Sequence, residues 1–105
     1  MTEICLLRPQ GRLDNVTGAA LDEEITKSIA DGADKLLLDM AEINYISSAG
    51  LRVILHAAKQ MKSLGGKFVL CSLNDQTKEV FETSGFSRFL TISASQDEAK
   101  SQLAG

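Results

Sequence analysis

Apolar and polar positions along the chain follow two different periods, and these periods predict its secondary structure. Runs of consecutive apolar residues, typical of strands buried on both faces of a parallel sheet, recur along the sequence. They occupy 4–7, 35–40, 67–73 and part of 86–92, with a shorter extended run at 43–46. Between them, apolar residues recur every three or four positions, which is the period of a helix with one buried face. The predicted helices cover 16–31, 48–64 and 96–103, with a further helix that Asn74 or Asp75 caps and that stops at Ser84-Gly85.

The alternation of strands and helices indicates one small α/β domain. In this fold class, crossover helices connect the strands of a parallel or mixed sheet. We therefore predict a single domain over residues 1–105, with a small, mixed but mostly parallel β-sheet of about four strands and with about four helices. A chain of this length buries about 65% of the surface that its unfolded form exposes, which is enough for one core.

Polar residues and glycines suggest where the first elements begin and end. Asn15 or Thr17 is expected to cap the first helix, because either side chain can accept a hydrogen bond from a free backbone amide. Gly32 is expected to end this helix in the left-handed conformation. Pro9 cannot donate to a sheet partner, so the first strand is expected to lie at an edge, or to end or bulge nearby. Gly11 then permits a kink or turn.

Composition and charge argue against two classes of function. The net charge is −3 and the basic residues are scattered, so nucleic-acid binding is not expected. The apolar runs are far shorter than the roughly 18 residues of a membrane span. The amino terminus lacks the basic segment and long apolar core of a signal peptide. We therefore expect a cytoplasmic protein with no membrane span.

Cysteine and histidine content argue against a metal or redox site. Cys5 and Cys71 lie within apolar runs and are expected to behave as small buried apolar residues. A single histidine and the absence of a Cys-x-x-Cys pair leave too few ligands for zinc. We expect neither a metal nor another cofactor.

The junction between the run at 43–46 and the second helix is the strongest candidate site. Ser47 and Ser48 lie where the first helical amides have no partner within the helix. One serine can cap the helix, so the hydroxyl of the other is expected to be exposed. A phosphate on that hydroxyl would face the positive end of the helix dipole. Arg52 lies four residues beyond Ser48, at a spacing that allows the two side chains to pair.

Enzymatic alternatives fail on sequence and geometry. A hydrolase nucleophile elbow requires Gly-x-Ser-x-Gly, but Ile46 stands two residues before Ser48. His56 lies eight residues beyond Ser48 on the same helix, about 12 Å along its axis, and is expected to be a solvated residue of the helix surface. Gly65 and Gly66 are not followed by the Gly-Lys-Ser/Thr signature of a phosphate-binding loop. We predict that the protein is not an enzyme.

Four blocks of the sequence, in the right order, resemble the STAS family. They are 11–14, 36–40 with 43–55, 65–71, and 80–86. This family includes bacterial anti-sigma-factor antagonists and the cytoplasmic tails of sulfate transporters. The resemblance covers most of the chain and implies the fold of the family.

The resemblance also implies a partner switch that regulates transcription. In antagonists of this family, an unphosphorylated serine at the start of the second helix permits binding to an anti-sigma factor, which frees the sigma factor. The anti-sigma factor is often also a serine kinase of the GHKL type, and its phosphorylation of that serine ends the complex until a metal-dependent serine phosphatase acts. Aligned on Gly50 and Leu51, the phosphorylated serine is Ser48, with Ser47 as second choice. The implied partner-binding residues are Asp14, Asn15, Ser47, Ser48, Ala49, Gly50 and Arg52.

Three departures from the family pattern bear on this implied switch. Ser47 occupies the position of the family's usual Asp, which makes it a second candidate acceptor. Arg52 stands where many antagonists have glycine, and its charge could partly neutralise a phosphate on Ser48. Only three residues precede Ile4, where the family usually has an additional strand. The exposed edge at 5–7 could therefore pair with a second copy, and we expect a monomer or a weak dimer.

Two functions follow from the resemblance. The first is an anti-sigma-factor antagonist that serine phosphorylation switches off. The second is a non-phosphorylated STAS subunit of a lipid-transport or signalling complex. A neighbouring gene for a GHKL-type kinase or a metal-dependent serine phosphatase would favour the first, and a membrane-transporter operon would favour the second.

Overall fold

Consecutive apolar residues in the middle of the chain form the central strands of a parallel sheet. The computed structural model describes residues 4–88 and 90–104. Its strands are β1 (Cys5–Leu7), β2 (Gly11–Leu13), β3 (Lys35–Asp39), β4 (Ile43–Ile46), β5 (Lys67–Cys71) and β6 (Thr91–Ser93). Its helices are α1 (Asn15–Ala30), α2 (Ser48–Ser63), α3 (Asp75–Ser84) and α4 (Gln96–Ala104), and a short 3-10 turn (Phe86–Arg88) follows α3.

Four strands form one sheet, and the other two form a separate two-stranded ribbon. The sheet has the order β1-β3-β5-β6, and β2 pairs with β4 in the ribbon. Every pairing between described strands is parallel. The prediction of an α/β fold with a mostly parallel sheet of about four strands and about four helices is confirmed.

Helices cover both faces of the four-stranded sheet. On one face, Leu36 and Leu38 of β3 join the main core with Ile54 of α2, and these side chains are fully buried. On the other face, Leu37 packs in a smaller cluster with Ala99 of α4. Because successive side chains of a strand point to opposite faces, a strand covered on both sides must be apolar at every position. This explains the uninterrupted apolar run in β3.

The helix boundaries differ from expectation mainly at the start of α1. Asp14, rather than Asn15 or Thr17, caps this helix, which begins at Asn15. All three residue types are good caps, so their positions in the sequence do not distinguish them. The expectation for Gly32 is confirmed, since its φ of 99° is left-handed.

Two short strands are placed more closely by the structure than by the sequence. Segment 11–13 forms strand β2 beside its parallel partner β4, and the kink that Gly11 was expected to permit is present as a left-handed φ of 80° and a shift of register between Gly11 and Arg12. The last strand, Thr91–Ser93, follows the 3-10 turn, and it lies at the end of the predicted run 86–92 and extends one residue beyond it. Phe89, which belongs to the apolar run predicted at 86–92, lies outside the described residues.

The two cysteines are free thiols on strands that do not pair with each other. Cys5 lies on β1 and Cys71 on β5, and β3 runs between these strands. Two strand spacings, about 9.6 Å, exceed the Cα separation that a disulfide spans. Burial raises the pKa of the Cys71 thiol above its ordinary value, so this thiol is protonated at neutral pH. Cys71 is fully buried, as expected, whereas Cys5 is half-buried.

Candidate functional site

The β2–β4 ribbon places the starts of two helices side by side. Leu13 ends β2 opposite Ile46, which ends β4. Each strand leads directly into a helix, with Asp14 as the N-cap of α1 and Ser47 as the N-cap of α2. The backbone N–H of Ser47 donates to the carbonyl oxygen of Leu13 at 2.9 Å, which joins the two junctions. The free amides of both helices therefore lie at the same edge of the molecule.

Two glycines allow α1 and α2 to touch near these starts. A Cβ atom on Gly50 would lie 2.6 Å from the carbonyl oxygen of Leu13 and 2.9 Å from Cγ1 of Ile46. A Cβ atom on Gly18 would lie 3.8 Å from the Cα atom of Gly50, in ordinary van der Waals contact. Small residues at both positions bring the first turns of the two helices together.

Asp14 is held by the first turn of α1. Its Oδ1 atom accepts hydrogen bonds from the backbone amides of Val16 at 2.9 Å and Thr17 at 3.1 Å. In return, the Asp14 N–H donates to Oγ1 of Thr17, and this hydroxyl donates to the carbonyl oxygen of Arg12. These hydrogen bonds, that of the Thr17 amide first, lower the pKa of the Asp14 carboxyl below its ordinary value. Asp14 is therefore an oriented, negatively charged group at neutral pH.

The two serines of the junction have different environments. Oγ of Ser47 accepts a hydrogen bond from the Gly50 amide at 3.3 Å, so Ser47 is the cap and is partly buried. Ser48 is the first residue of α2; it is exposed, and its hydroxyl makes no hydrogen bond with a described residue. Arg52, one turn further, is also exposed and makes no ion pair with a described residue. The hydroxyl available to another molecule is that of Ser48.

The structure brings together most of the residues that the sequence singled out. Asp14, Ser47, Ala49 and Gly50 lie at the two joined helix starts. Asn15 and Ser48 are exposed as the first residues of their helices. Arg52 lies beyond them along the exposed side of α2.

Three exposed residues of this surface were missed by the sequence reasoning. The Arg12 guanidinium carbon lies 4.6 Å from the ring centre of Tyr45, its partner in the β2–β4 ribbon. Tyr45 is 42% exposed, and Val16, in the first turn of α1, is 72% exposed. Val16 could have been noticed, because it is an apolar residue that does not share the helical spacing of Leu21 and Ile25, which lie on the buried face of α1. The contact between Arg12 and Tyr45 depends on the strand pairing, which the sequence does not reveal.

Among the described residues near this surface, neither a serine–histidine pair nor a metal-binding cluster is found. His56 lies 3.4 Å from an Asp22 carboxylate oxygen, and both side chains are largely exposed. Within residues 4–88 and 90–104, no three His, Cys, Asp or Glu side chains group closely enough to hold a metal ion. Across the same ranges, no helix is both long enough and apolar enough to cross a membrane.

The chain is similar to proteins with a common regulatory role. BtrV of Bordetella bronchiseptica, classified as an anti-sigma factor antagonist, is 38% identical over 90 residues, which is 86% of this chain and 78% of BtrV. A Thermotoga maritima protein of the same classification has a TM-score of 0.92 at 23% identity, over 97% of this chain and 88% of its own.

A third similar protein is the anti-sigma factor antagonist SpoIIAA of Bacillus. In its unphosphorylated form it has a TM-score of 0.77 at 18% identity, over 100% of this chain and 93% of its own. A phosphorylated form of SpoIIAA has also been solved, with a TM-score of 0.74. At such low identity, these solved structures establish a common fold.

The family is established by sequence. The family model described as STAS domain matches residues 2–99, which is nearly the whole chain, and the identity to BtrV extends over most of both proteins. The resemblance noted in the four sequence blocks is thereby confirmed, and this chain belongs to the STAS domain family.

Proposed function

We propose that this protein is an anti-sigma factor antagonist that binds its anti-sigma factor through the joined starts of α1 and α2. The observation that carries the proposal is the placement of Asp14 and the free hydroxyl of Ser48 at two adjacent helix starts. Relatives that are named as anti-sigma factor antagonists support it. We call this region the switch surface, and it consists of Arg12, Asp14, Asn15, Val16, Tyr45, Ser47, Ser48, Ala49, Gly50 and Arg52.

The switch surface combines apolar anchors with polar groups, as protein interfaces do. Val16 and Tyr45 present apolar surface that a partner can bury, and tyrosine is frequent among residues that dominate binding energy. Asp14 offers an oriented carboxylate for a hydrogen bond or an ion pair. Backbone N–H groups of the helix starts that the caps do not engage can donate hydrogen bonds to acceptors of the partner.

Phosphorylation of Ser48 would end such a complex without a change of fold. A phosphate carries about −1.5 to −2 charges at pH 7. A partner that contacts the neutral hydroxyl would then have to desolvate a dianion, which costs several kcal/mol unless the charge is paired. Ser48 is the preferred acceptor because its hydroxyl is free, whereas Ser47 is engaged with the Gly50 amide. Arg52 lies at the spacing that allows it to pair with this phosphate and neutralise one of its charges, and the remaining charge of about −0.5 to −1 would still have to be desolvated by the partner.

The proposed partners follow from this chemistry and from the family. The anti-sigma factor itself acts as the serine kinase, of the GHKL type, and a metal-dependent serine phosphatase restores the hydroxyl. The protein is a regulatory component, not an enzyme, and it acts in the cytoplasm as a monomer or weak dimer.

The test is phosphorylation by the cognate anti-sigma factor with ATP, followed by mapping of the phosphate by mass spectrometry. We expect phosphate on Ser48 in the wild type and in Ser47→Ala, and none in Ser48→Ala. Ser63→Ala, at the far end of the same helix, is the matched control, and it should still be phosphorylated on Ser48. Ser48→Asp should weaken binding to the anti-sigma factor by at least about tenfold, since it adds a charge within the interface.

Two results would contradict the proposal. Absence of phosphate from Ser47 and Ser48, together with wild-type binding by Ser48→Asp, would exclude the phosphorylation switch. Stable copurification with a membrane transporter ATPase, unaffected by ATP, would favour the alternative of a STAS subunit in a lipid-transport or signalling complex.

A further inference from the structure

The C-terminal half of α2 borders two adjoining cavities at the opposite end of this helix from Ser48. The first has a volume of about 490 Å³ and is lined by Leu55, Ala58, Lys59, Lys62 and Arg88. The second, of about 410 Å³, shares Ala58 and Lys62 with the first and extends over Met61, Phe68 and Val69. We call the two cavities together the basic groove.

Three cations surround the first cavity without an acidic neighbour. Lys59, Lys62 and Arg88 make no hydrogen bond or ion pair through their side chains with a described residue. No acidic side chain of the described residues lines either cavity. Because the whole chain has a net charge of −3, this positive region is a local feature. Like charges held around one cavity repel each other, and an anionic occupant would relieve that repulsion.

The helix dipole explains only part of this arrangement. Lys62 lies in the last turn of α2, where a cation stabilises the negative end of the helix. Arg88 belongs to the 3-10 turn after α3, and it lines the same cavity from a different element. The cations at this cavity are therefore supplied by two elements and not by α2 alone.

The floor of the groove is apolar and recessed. Of its apolar lining residues, Leu55 and Ala58 are half-buried, and Met61 and Phe68 are buried. A flat bilayer surface does not reach apolar atoms at the bottom of a cavity. A fatty acid would fill such a cavity, but its single carboxylate would neutralise only one of the three cations. A protein segment with an apolar side chain flanked by carboxylates matches both the apolar lining of the groove and its three cations.

We propose that the basic groove binds an acidic protein segment in which Asp or Glu residues flank apolar anchors. The groove follows α2 from Leu55 to Lys62, about 10 Å, which is the length of two helical turns. A segment of this length presents one or two apolar anchors to the floor and several carboxylates to the three cations. This surface is separate from the proposed antagonist function, since Lys59 lies eleven residues beyond Ser48, about 16 Å along the helix.

The test is an NMR titration of the isotopically labelled full chain with a blocked amphipathic peptide of about twelve residues, rich in Glu and Leu and spanning about three helical turns. We expect shift changes at Leu55, Ala58 and Lys62, and weaker binding at high salt, because exposed charges are screened. The double variant Lys59→Glu with Arg88→Glu should bind at least about tenfold more weakly. The charge-matched control, Lys78→Glu with Lys100→Glu, changes exposed cations elsewhere and should bind like the wild type.

Further titrations distinguish other possible occupants of the groove and show which results would overturn the proposal. The same peptide with Gln in place of Glu should not bind, and equal binding would overturn the proposal. Shift changes confined to other surfaces, or none at millimolar peptide, would also overturn it. If decanoate or vesicles with anionic lipid shift the groove resonances and the peptide does not, the groove is a lipid site instead. None of these results depends on the phosphorylation of Ser48.

Discussion

Gly50 occupies an enclosed position at the start of α2. The Leu13 carbonyl oxygen that a Cβ would meet belongs to the backbone of β2 and cannot swing aside. Gly18 lies in the facing turn of α1, but its nearest neighbour is a methyl group of Val53 at 3.4 Å from the added Cβ, which is ordinary van der Waals contact. The two glycines therefore differ in how much space each leaves for a methyl group.

We expect Gly50→Ala to lower the free energy of unfolding by about 1–3 kcal/mol, the usual cost of overpacking. Gly18→Ala should lie within about 1 kcal/mol of the wild type, since the gain in helix propensity offsets a mild contact. Urea denaturation of both variants measures the difference. Equal stabilities for the two variants would show that the backbone of β2 or α2 shifts at little cost to make room for the methyl group at position 50.

Asp14 makes stability depend on pH at the acidic end. Hydrogen bonds from the Thr17 and Val16 amides hold its pKa below the ordinary value of 3.8 in the folded chain. The unfolded chain therefore takes up this proton at a higher pH than the folded chain. The stabilisation is complete above about pH 4–5, and it is lost as the pH falls through the folded pKa.

Asp14→Asn keeps an oxygen that can cap α1 but does not titrate. We expect the melting temperature of the wild type, relative to Asp14→Asn, to be constant at neutral pH and to fall below about pH 4. Thermal unfolding followed by circular dichroism between about pH 3 and 7 measures this difference. Parallel curves over the whole range would contradict the assignment of the cap to a charged Asp14.

At the scale of elements, the two serines at the start of α2 differ in role, since Ser47 caps the helix and Ser48 is the proposed recognition group. Ser47→Ala removes the acceptor for the Gly50 amide and should cost about 1 kcal/mol of stability, as N-cap removals do. Ser48→Ala removes an exposed hydroxyl without a described partner and should change stability by less than about 0.5 kcal/mol. Guanidinium denaturation compares the two variants. The opposite order of stabilities would assign the cap to Ser48.

The longer elements could be read from the sequence, and the short ones could not. The apolar runs of β3 and β5 and the helical periods of α1 and α2 extend over enough residues to define their type. Strand β2 has three residues next to Pro9 and begins at a glycine with a φ of 80°, so its local pattern resembles a turn. It forms because β4 supplies a partner more than thirty residues away in the chain.

The candidate site was predictable to a similar extent. The sequence pattern placed Ser47 and Ser48 at a helix start, because an extended run there gives way to helical spacing. It left open which serine caps the helix, and the hydrogen bond from the Gly50 amide settles that choice. Tyr45 and Arg12 meet through strand pairing, which no local pattern encodes.

At the scale of the whole molecule, Asp39 connects three distant parts of the chain. It ends the central strand β3 and is buried, with one carboxylate oxygen accepting the Ala41 amide at 3.0 Å. The other oxygen accepts a hydrogen bond from Gln96 of α4 at 2.7 Å and lies 3.2 Å from Nε of Arg8. Arg8 also lies 3.9 Å from the exposed Glu42. The carboxylate thus fastens α4 and the segment after β1 to the sheet.

Asp39→Ala would leave the Ala41 amide and the Gln96 side chain without the charged acceptor of their partly buried hydrogen bonds, and we expect the free energy of unfolding to fall by about 2–3 kcal/mol. Glu42→Ala removes the exposed partner of the same arginine and should cost less than about 0.5 kcal/mol. Urea denaturation gives both values, and hydrogen exchange should show faster opening of α4 in Asp39→Ala alone. Similar stabilities for the two variants would mean that α4 is held by its apolar contacts only.

The bond between the Ser47 amide and the Leu13 carbonyl also has a kinetic consequence. It fastens the ends of β2 and β4 to each other, so both helix starts have a fixed relative position before any partner arrives. In the proposed complex, little chain entropy would then be lost on association, and no slow rearrangement would precede docking. Such preformed surfaces associate at about 10⁵–10⁷ M⁻¹s⁻¹. A charge on Ser48 would accordingly shorten the lifetime of the complex more than it slows its formation.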